Sequence, residues 1–419
     1  MLGTAGCATS APWERDAAAL ERMARAPAAS PTPDPAVADP AADDPLASVT
    51  LLTPELASAI ALARNPRLDS ARAAIRAAAA EVRSAGGGTD PRFEYMLAPG
   101  SIGSEIGQSM TVRWAFPWPG TPAARAARAL ADAQVEALGL DVMRRDLAEQ
   151  AAVAVHSLGT LAAARALIAT HHQLMDRLRA SLPEVAMAAD AAVDIASQDL
   201  TTIELARSER LLTITLNTLL HRAPGLALPP TPALDAPPAP PEPLPALLAA
   251  AAEHRPEVRV ALARVEASRR AVTATQQENK PMIELGAGLD TMWPDAAMWP
   301  RIMVMVELPF ERARRAGAED AARARVAAAQ ADLLVAEDEA VADIATRREE
   351  LAATLESLAQ LDKVVAVAEA RQALVAARGL PGAVAATSAL LDLRMRRLDL
   401  LRDAWIADAR LASAIGGAP

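Results

Sequence analysis

The chain has little of what most enzymes and compact cores are built from. Only 2% of its 419 residues are aromatic, it contains one cysteine, Cys7, and it has five histidines. One cysteine excludes an internal disulfide and a cysteine-rich zinc site. No glycine-rich phosphate loop and no nucleophile-and-base spacing occurs, so we expect no catalysis and no cofactor.

Basic residues are also too few and too scattered for a nucleic-acid groove. The chain carries 42 Lys and Arg against 52 Asp and Glu, a formal net charge of −10. This balance argues against a nucleic-acid partner. No apolar run approaches the ~18 to 20 residues that a spanning helix needs, so a membrane role would require a closed barrel.

Alanine is what the sequence has in excess, at 105 residues. Alanine costs least in a helix and lets backbones approach closely, which favours long helices packed side by side. Two proline-rich stretches interrupt the helical pattern, at 26–45 and 224–245. The resulting division is an N-terminal anchor region and linker at 1–50, a first repeat at 51–223, the linker at 224–245 and a second repeat at 246–419.

The two halves repeat the same pattern of prolines. Pro66 and Pro256 each open a helix, and Pro91 and Pro281 each precede a strand, at a constant offset. Each half predicts a short helix, two strands, a very long helix, a turn and a return helix. A 65-residue helix would be roughly 100 Å long, and its leucine seam requires an antiparallel partner, which the return helix supplies.

Four segments alternate with a period of two, apolar on one face and largely polar on the other. They begin near Arg92, Ser109, Ile283 and Arg301 and are about eight to ten residues long, which suits tilted membrane strands. A soluble sheet with one buried face alternates in the same way. Four tryptophans lie in or beside these strands and suit an interfacial aromatic girdle: Trp114, Trp118, Trp293 and Trp299.

The chain resembles the TolC-type outer-membrane efflux proteins. The resemblance rests on the tandem repeat, on the helix openings Asn65-Pro66 and Arg255-Pro256, on the strand exit Phe116-Pro117-Trp118 and on the turn Gly379-Leu380-Pro381-Gly382. The resemblance runs from about Leu52 onward. It implies a mainly α-helical protein with transmembrane β-strands. Three protomers would form a twelve-stranded outer-membrane barrel that continues as a helical tunnel into the periplasm.

The same resemblance implies a passive channel whose tunnel tip meets a periplasmic adaptor fed by an inner-membrane pump. The candidate adaptor-contact residues are those of the two turns: Ala192, Val193, Asp194, Gly379, Leu380, Pro381 and Gly382. Asp199 and Asp392 are candidates for a periplasmic gate, although an acidic residue near the start of a return helix is also favoured by the helix dipole. The first turn lacks the glycine, and the second the following arginine, that are usual in the family.

The remaining candidates concern lipid and metal. Cys7 follows Thr4-Ala5-Gly6, which is similar to the end of a bacterial lipobox, and would be the lipidation site. No apolar signal segment precedes it as written, so either the true start lies upstream or the cysteine is incidental. His171 and His172 point apart on a helix and are expected on the surface. Met292, Met298, Met303 and Met305 are interpreted as packing residues rather than soft-metal ligands.

Two other hypotheses stay open. A water-soluble coiled-coil scaffold could carry a small soluble sheet, and the conduit of a type I protein-secretion system would share the channel architecture.

Overall fold

The fold was analysed in a computed structural model, which describes residues 11–25, 44–98, 107–181, 185–290, 299–308, 310–377 and 382–417. The described elements are nine helices and four strands. The helices are α1 (Pro12–Met23), α2 (Pro54–Arg64), α3 (Pro66–Gly86), α4 (Thr121–Ser181), α5 (Val185–Leu219), α6 (Leu244–His254), α7 (Pro256–Glu278), α8 (Arg312–Ala377) and α9 (Ala383–Ile415). The strands are β1 (Arg92–Ala98), β2 (Gly107–Phe116), β3 (Met282–Asp290) and β4 (Trp299–Glu307).

The tandem repeat is visible in the order of elements. Each half runs helix, helix, strand, strand, long helix and return helix, from α2 to α5 and from α6 to α9. Prolines fix the helix starts because a proline has no N–H to lose at the first helical position. The short leading helices α2 and α6 were not predicted, and neither was α1. Residues 26–43, which include most of the expected first linker, lie outside the described residues.

The residues separate into two compact units. Unit 1 contains the described parts of Met1–Ala28, Ser70–Leu140 and Glu257–Ala336, and therefore the sheet. Unit 2 contains the described parts of Ala29–Asp69, Asp141–Pro256 and Glu337–Pro419, and therefore the return helices.

The predicted antiparallel helix pairing is present in unit 2. Leu351 and Leu358 of the α8 seam are almost fully buried, and Leu401 of α9 is fully buried. Ion pairs join α8 to α9 in antiparallel order, Asp362 with Arg397 at 2.6 Å and Glu369 with Arg394 at 2.6 Å.

The expectation that no apolar run could span a bilayer is wrong for one helix. Helix α4 contains an 18-residue window of mean hydropathy 1.5 with few charges. Half of that window is buried inside the protein. A core helix and a membrane-spanning helix can have the same apolar composition. The burial of half of the window is consistent with an alanine-rich core helix.

The proline-rich stretch before α6 is packed against other parts of unit 2. The carbonyl of Pro230 accepts a hydrogen bond from the Leu52 amide at 2.9 Å, and that of Ala236 accepts one from the Trp405 indole at 2.9 Å. Leu234 is buried. Proline fixes φ and removes a backbone donor, so this stretch stays extended and is held by its carbonyls.

Candidate functional site

The four strands form one antiparallel sheet in the order β1-β2-β3-β4. The register places Phe93 opposite Val112, Val112 opposite Ala287, and Ala287 opposite Ile302. Because successive side chains alternate between faces, this row fixes the faces of all four strands. The apolar positions predicted from the sequence therefore share one face of the sheet.

This apolar face is exposed rather than covered by the helices of the chain. The exposed fraction is 68% for Phe93, 48% for Val112 and 85% for Ile302. The other large apolar side chains that lie on this face and are exposed are Tyr95, Leu97, Met110, Trp114, Phe116, Leu285, Leu289, Val304 and Val306. A soluble sheet would bury such a face, so the face requires an apolar environment from outside the chain.

The opposite face carries the charged residues of the sheet. Arg113 of β2 lies between two carboxylates on neighbouring strands: it pairs with Glu94 of β1, and its Nε lies 3.9 Å from Oε1 of Glu284 on β3. Gly286 and Gly288 of β3 lie on this face. A Cβ at Gly288 would lie 2.4 Å from the Met110 carbonyl oxygen, so glycine permits the close approach there. Met303 and Met305 also lie on this face.

The girdle candidates occupy both ends of the sheet. Trp114 and Trp118 are 48% and 40% exposed and lie where β2 approaches α4. The Trp114 indole donates to the Thr89 carbonyl at 2.7 Å, and its ring lies 5.1 Å from that of Phe116. Trp299 begins β4 at the opposite end of the sheet, and Trp293 lies outside the described residues.

The candidate residues near the first turn lie on α5 and differ in their surroundings. Val193 is 70% exposed, whereas the Asp194 carboxylate lies 2.8 Å from Nε2 of His171 on α4, with both side chains largely buried. Asp199 is exposed, and its Oδ1 lies 4.0 Å from Nδ1 of His172. The expectation of a surface position is therefore wrong for His171, because a carboxylate on the facing helix provides its partner.

The second turn is described only from Gly382 onward; Gly379, Leu380 and Pro381 lie outside the described residues, as does Cys7. Gly382 has a φ of +93°, a left-handed conformation that favours glycine, and it precedes α9. Asp392 is exposed on α9.

In the part of the chain that the structure describes, no group of three or more His, Cys, Asp or Glu side chains is placed to hold a metal ion. Sequence reasoning missed helix α1, which lies beside the sheet end of α3. The Trp13 indole covers Gly86 and leaves no room for a Cβ there, and Glu21 pairs with Arg83. The amphipathic pattern of α1, with Ala17 and Leu20 buried, is the signal that could have revealed it.

Comparison with solved structures identifies the fold. MtrE of Neisseria gonorrhoeae, described as an outer membrane channel and solved in an open state, has a TM-score of 0.74 at 18% identity, covering 87% of this chain and 89% of its own. The outer membrane protein VceC of Vibrio cholerae gives 0.70 at 20% identity, covering 87% and 96%. The chain has the fold of these outer-membrane channels.

A third similar structure is that of CusC, which was solved in a study of the conformational changes that accompany folding and transmembrane channel formation. Its TM-score is 0.72 at 15% identity, covering 88% of this chain and 93% of CusC. No protein-family model matches the sequence, and no curated protein sequence matches it. The resemblance to the TolC-type proteins inferred from the sequence is thus confirmed at the level of the fold.

Proposed function

We propose that the protein is a passive channel of the bacterial outer membrane that extends into the periplasm and belongs to a tripartite efflux system. The observation that carries this proposal is the apolar face of the sheet, exposed on all four strands. Strands β2, β3 and β4, of 9 or 10 residues, match the thickness of a bilayer when tilted, and β1 is described over 7 residues. Solutes would pass along the charged face.

A homotrimer is the assembly that we infer. β1 and β4 are the edges of a four-stranded sheet, and a membrane leaves no water to satisfy open edges. Three copies joined edge to edge would give twelve strands and no exposed edge.

Apolar residues on the helices of unit 2 support contact between copies. Helix α5 exposes large apolar side chains at about helical spacing, namely Val193, Leu200, Ile203, Leu211 and Ile214. Helix α8 exposes a second set, Val364, Val367 and Leu374. Exposed apolar stripes of this length favour burial against another helix, which a neighbouring copy would provide in the helical tunnel.

The tips of the helix pairs are the proposed contact for a periplasmic adaptor, and an inner-membrane pump would supply the energy. Exposed Val193 and the left-handed Gly382 are the described residues that suit this contact best. Asp199 and Asp392, both exposed, would form rings of carboxylates around the threefold axis, which would constrict the pore and select cations.

Acylation of Cys7 would add a membrane anchor. Helix α1 holds Trp13 against Gly86, six residues before β1 begins. Trp13 lies six positions after Cys7, a separation of at most about 20 Å. An acyl chain on Cys7 would therefore reach the bilayer surface at the base of the sheet.

The water-soluble scaffold is the less favoured alternative because it leaves the apolar face in water. A protein-secretion conduit would share the exposed sheet face and the long helix pairs, and an export measurement distinguishes it from an efflux channel.

Membrane fractionation and reconstitution test the proposal. The channel hypothesis expects the full chain in outer membranes, extraction as a trimer in detergent, and passive conductance in planar bilayers without nucleotide. Recovery as a water-soluble particle without conductance would contradict it. The chain is then coexpressed either with a drug or metal pump or with a secretion ATPase. Export of the drug or metal with the first partner would indicate efflux, and export of a protein with the second would indicate secretion.

A further inference from the structure

Methionine is concentrated on the sheet. The four strands contain about a twelfth of the residues of the chain, but they carry five of its 13 methionines: Met96, Met110, Met282, Met303 and Met305. The strand register places all of these except Met110 on the charged face. A channel that conducts solutes in general does not require thioethers on that face.

Packing does not explain the methionines of β4. Residues 302–306 read Ile-Met-Val-Met-Val, so the β-branched side chains that strands favour lie on the apolar face and the thioethers on the charged face. Methionine usually fills gaps in a buried core. Met305 is 48% exposed, and Met303 and Met282 are half-buried. These side chains therefore present their sulfur atoms to a surface rather than to a core.

The strand register makes Met305 the centre of a row of three thioethers. Met303 lies two residues before Met305 on the same face of β4, which separates their Cα atoms by about 7 Å. Met282 of β3 pairs with Glu307, so Met282 is the diagonal neighbour of Met305, at about 7–8 Å. Methionine has three rotatable bonds. The sulfur of Met305 can therefore share an ion with that of Met282 or with that of Met303.

The residues of β3 leave room for an ion and supply negative charge. A Cβ at Gly286, which pairs with Met303, would lie 3.4 Å from the Met303 Cε, so the thioether end of Met303 extends over the β3 backbone. Glu284 pairs with Met305 across the ladder. Arg113, 3.9 Å from Glu284, also pairs with Glu94, so two carboxylates share its charge. A monovalent cation is compatible with this balance.

The chemistry of the row selects a class of ion. Thioethers are soft ligands that favour Cu(I), whereas hard cations such as Mg²⁺ and Ca²⁺ prefer oxygen ligands. We propose that Met282, Met303 and Met305 form adjacent binding positions for a soft monovalent cation, Cu(I) or Ag(I), that the channel exports. This inference rests on the proposed function, because a channel turns the charged face toward the pore. Adjacent positions with few ligands would let the ion step along the pore without being retained.

Silver titration of the full chain in detergent tests this inference. Ag⁺ is added in nitrate buffer to a Cys7→Ser background, which removes the one thiol of the chain, and excess Zn²⁺ occupies imidazole and carboxylate sites. Native mass spectrometry and calorimetry measure the bound Ag⁺. Met305→Leu should weaken binding by at least about tenfold, because Met305 contributes to both pairs of sulfurs. Met282→Leu and Met303→Leu should each have a smaller effect, because one pair remains.

Met110→Leu is the matched control. It removes a thioether from the same sheet, but from the apolar face, so it should leave Ag⁺ binding unchanged. Circular dichroism checks the fold of each variant. In planar bilayers, Ag⁺ should reduce the current through the background protein and through Met110→Leu at concentrations that leave the current through Met305→Leu unaffected.

Two results would overturn the proposal: the same Ag⁺ affinity in Met305→Leu as in Met110→Leu, or displacement of all bound Ag⁺ by Zn²⁺. Conductance without Ag⁺ separates this failure from failure of the proposed function. A protein that conducts but shows no Met305-dependent Ag⁺ binding contradicts the thioether row alone, whereas a protein that does not conduct contradicts the channel.

Discussion

Asn65 and Arg255 occupy equivalent positions in the two repeats and perform the same structural task. Each precedes the proline that opens the second helix of its repeat. The Asn65 side chain donates to the Leu219 carbonyl at 2.9 Å, and the Arg255 guanidinium donates to the Ala414 carbonyl at 3.2 Å. Leu219 and Ala414 lie at the ends of the return helices α5 and α9, so both residues bind a carbonyl that the helix itself leaves unpaired.

Substitution of these two residues should destabilise unit 2 unequally. Asn65→Ala should cost about 1–3 kcal/mol because it leaves a buried carbonyl without a partner. Arg255→Ala should cost more, about 3–5 kcal/mol, because Arg255 also pairs with Asp343 at 3.0 Å. Thermal unfolding followed by circular dichroism in detergent measures both. Exposed Arg269→Ala is the control, and equal losses in all three variants would contradict the assignment.

His221 and Gly416 lie just after the two return helices, and both have a φ angle in the left-handed region. Their φ angles are +53° and +91°, and His221 is the one non-glycine residue with positive φ among the described residues. His221→Gly should therefore raise stability by up to about 1 kcal/mol.

Gly416→Ala is the reciprocal change. Its new Cβ would lie 2.6 Å from the His254 carbonyl oxygen, so we expect a loss of more than about 1 kcal/mol. Denaturant midpoints of the two variants, measured at one protein concentration, check the pair. A loss of stability in His221→Gly would refute the strain at that position.

His156 should make stability depend on pH. Burial lowers the pKa of His156, while the Glu55 charge opposes this shift. As the pH falls, the imidazole of His156 therefore takes up a proton at about pH 6.5 in the unfolded chain and only at lower pH in the folded chain. The free energy of unfolding falls as the pH drops below about 6.5.

His156→Phe should flatten this decline between pH 7 and pH 5. Phenylalanine can retain the stacking on Trp405, whose ring lies 5.4 Å away at 16°. Thermal midpoints at several pH values test this, with exposed His254→Gln as the control. An unchanged slope in His156→Phe would rule out His156 as its source.

Ile302 and Met303 are adjacent on β4 but lie on opposite faces. Ile302→Arg places a charge on the apolar face and should cost about 2–4 kcal/mol near the bilayer midplane, which reduces the assembled protein in outer membranes. Met303→Arg faces the charged side and should assemble normally. Quantitative immunoblots of outer-membrane fractions measure both, and equal assembly of the two variants would argue against a lipid-facing side.

Much of the fold follows from local sequence signals. Pro66 and Pro256 fix the starts of α3 and α7, and the absence of proline between Ala313 and Ala377 allows one continuous helix. The period-two pattern gave the correct face for Phe93, Val112 and Ile302, since alternation reports the faces directly.

Long-range contacts were beyond reach of the sequence. The hydrogen bond of Asn65 to Leu219 joins residues 154 positions apart, and the burial of His171 depends on Asp194 of a facing helix. Helix α2 was missed because it is short and alanine-rich, and its end at Asn65 merges with the start of α3.

Cysteine scanning along β4 tests the central claim most directly. Single cysteines are placed at positions 302 to 306 in a Cys7→Ser background. One set of outer membranes is treated with a water-soluble maleimide, and in a second set the cysteines carry a fluorescent label whose emission is measured with a lipid-attached quencher. The labels at positions 302, 304 and 306 should be quenched and these cysteines should resist the maleimide, whereas the cysteines at 303 and 305 should react with the maleimide through the pore. Equal maleimide labelling at all five positions would contradict a sheet that separates lipid from a water-filled channel.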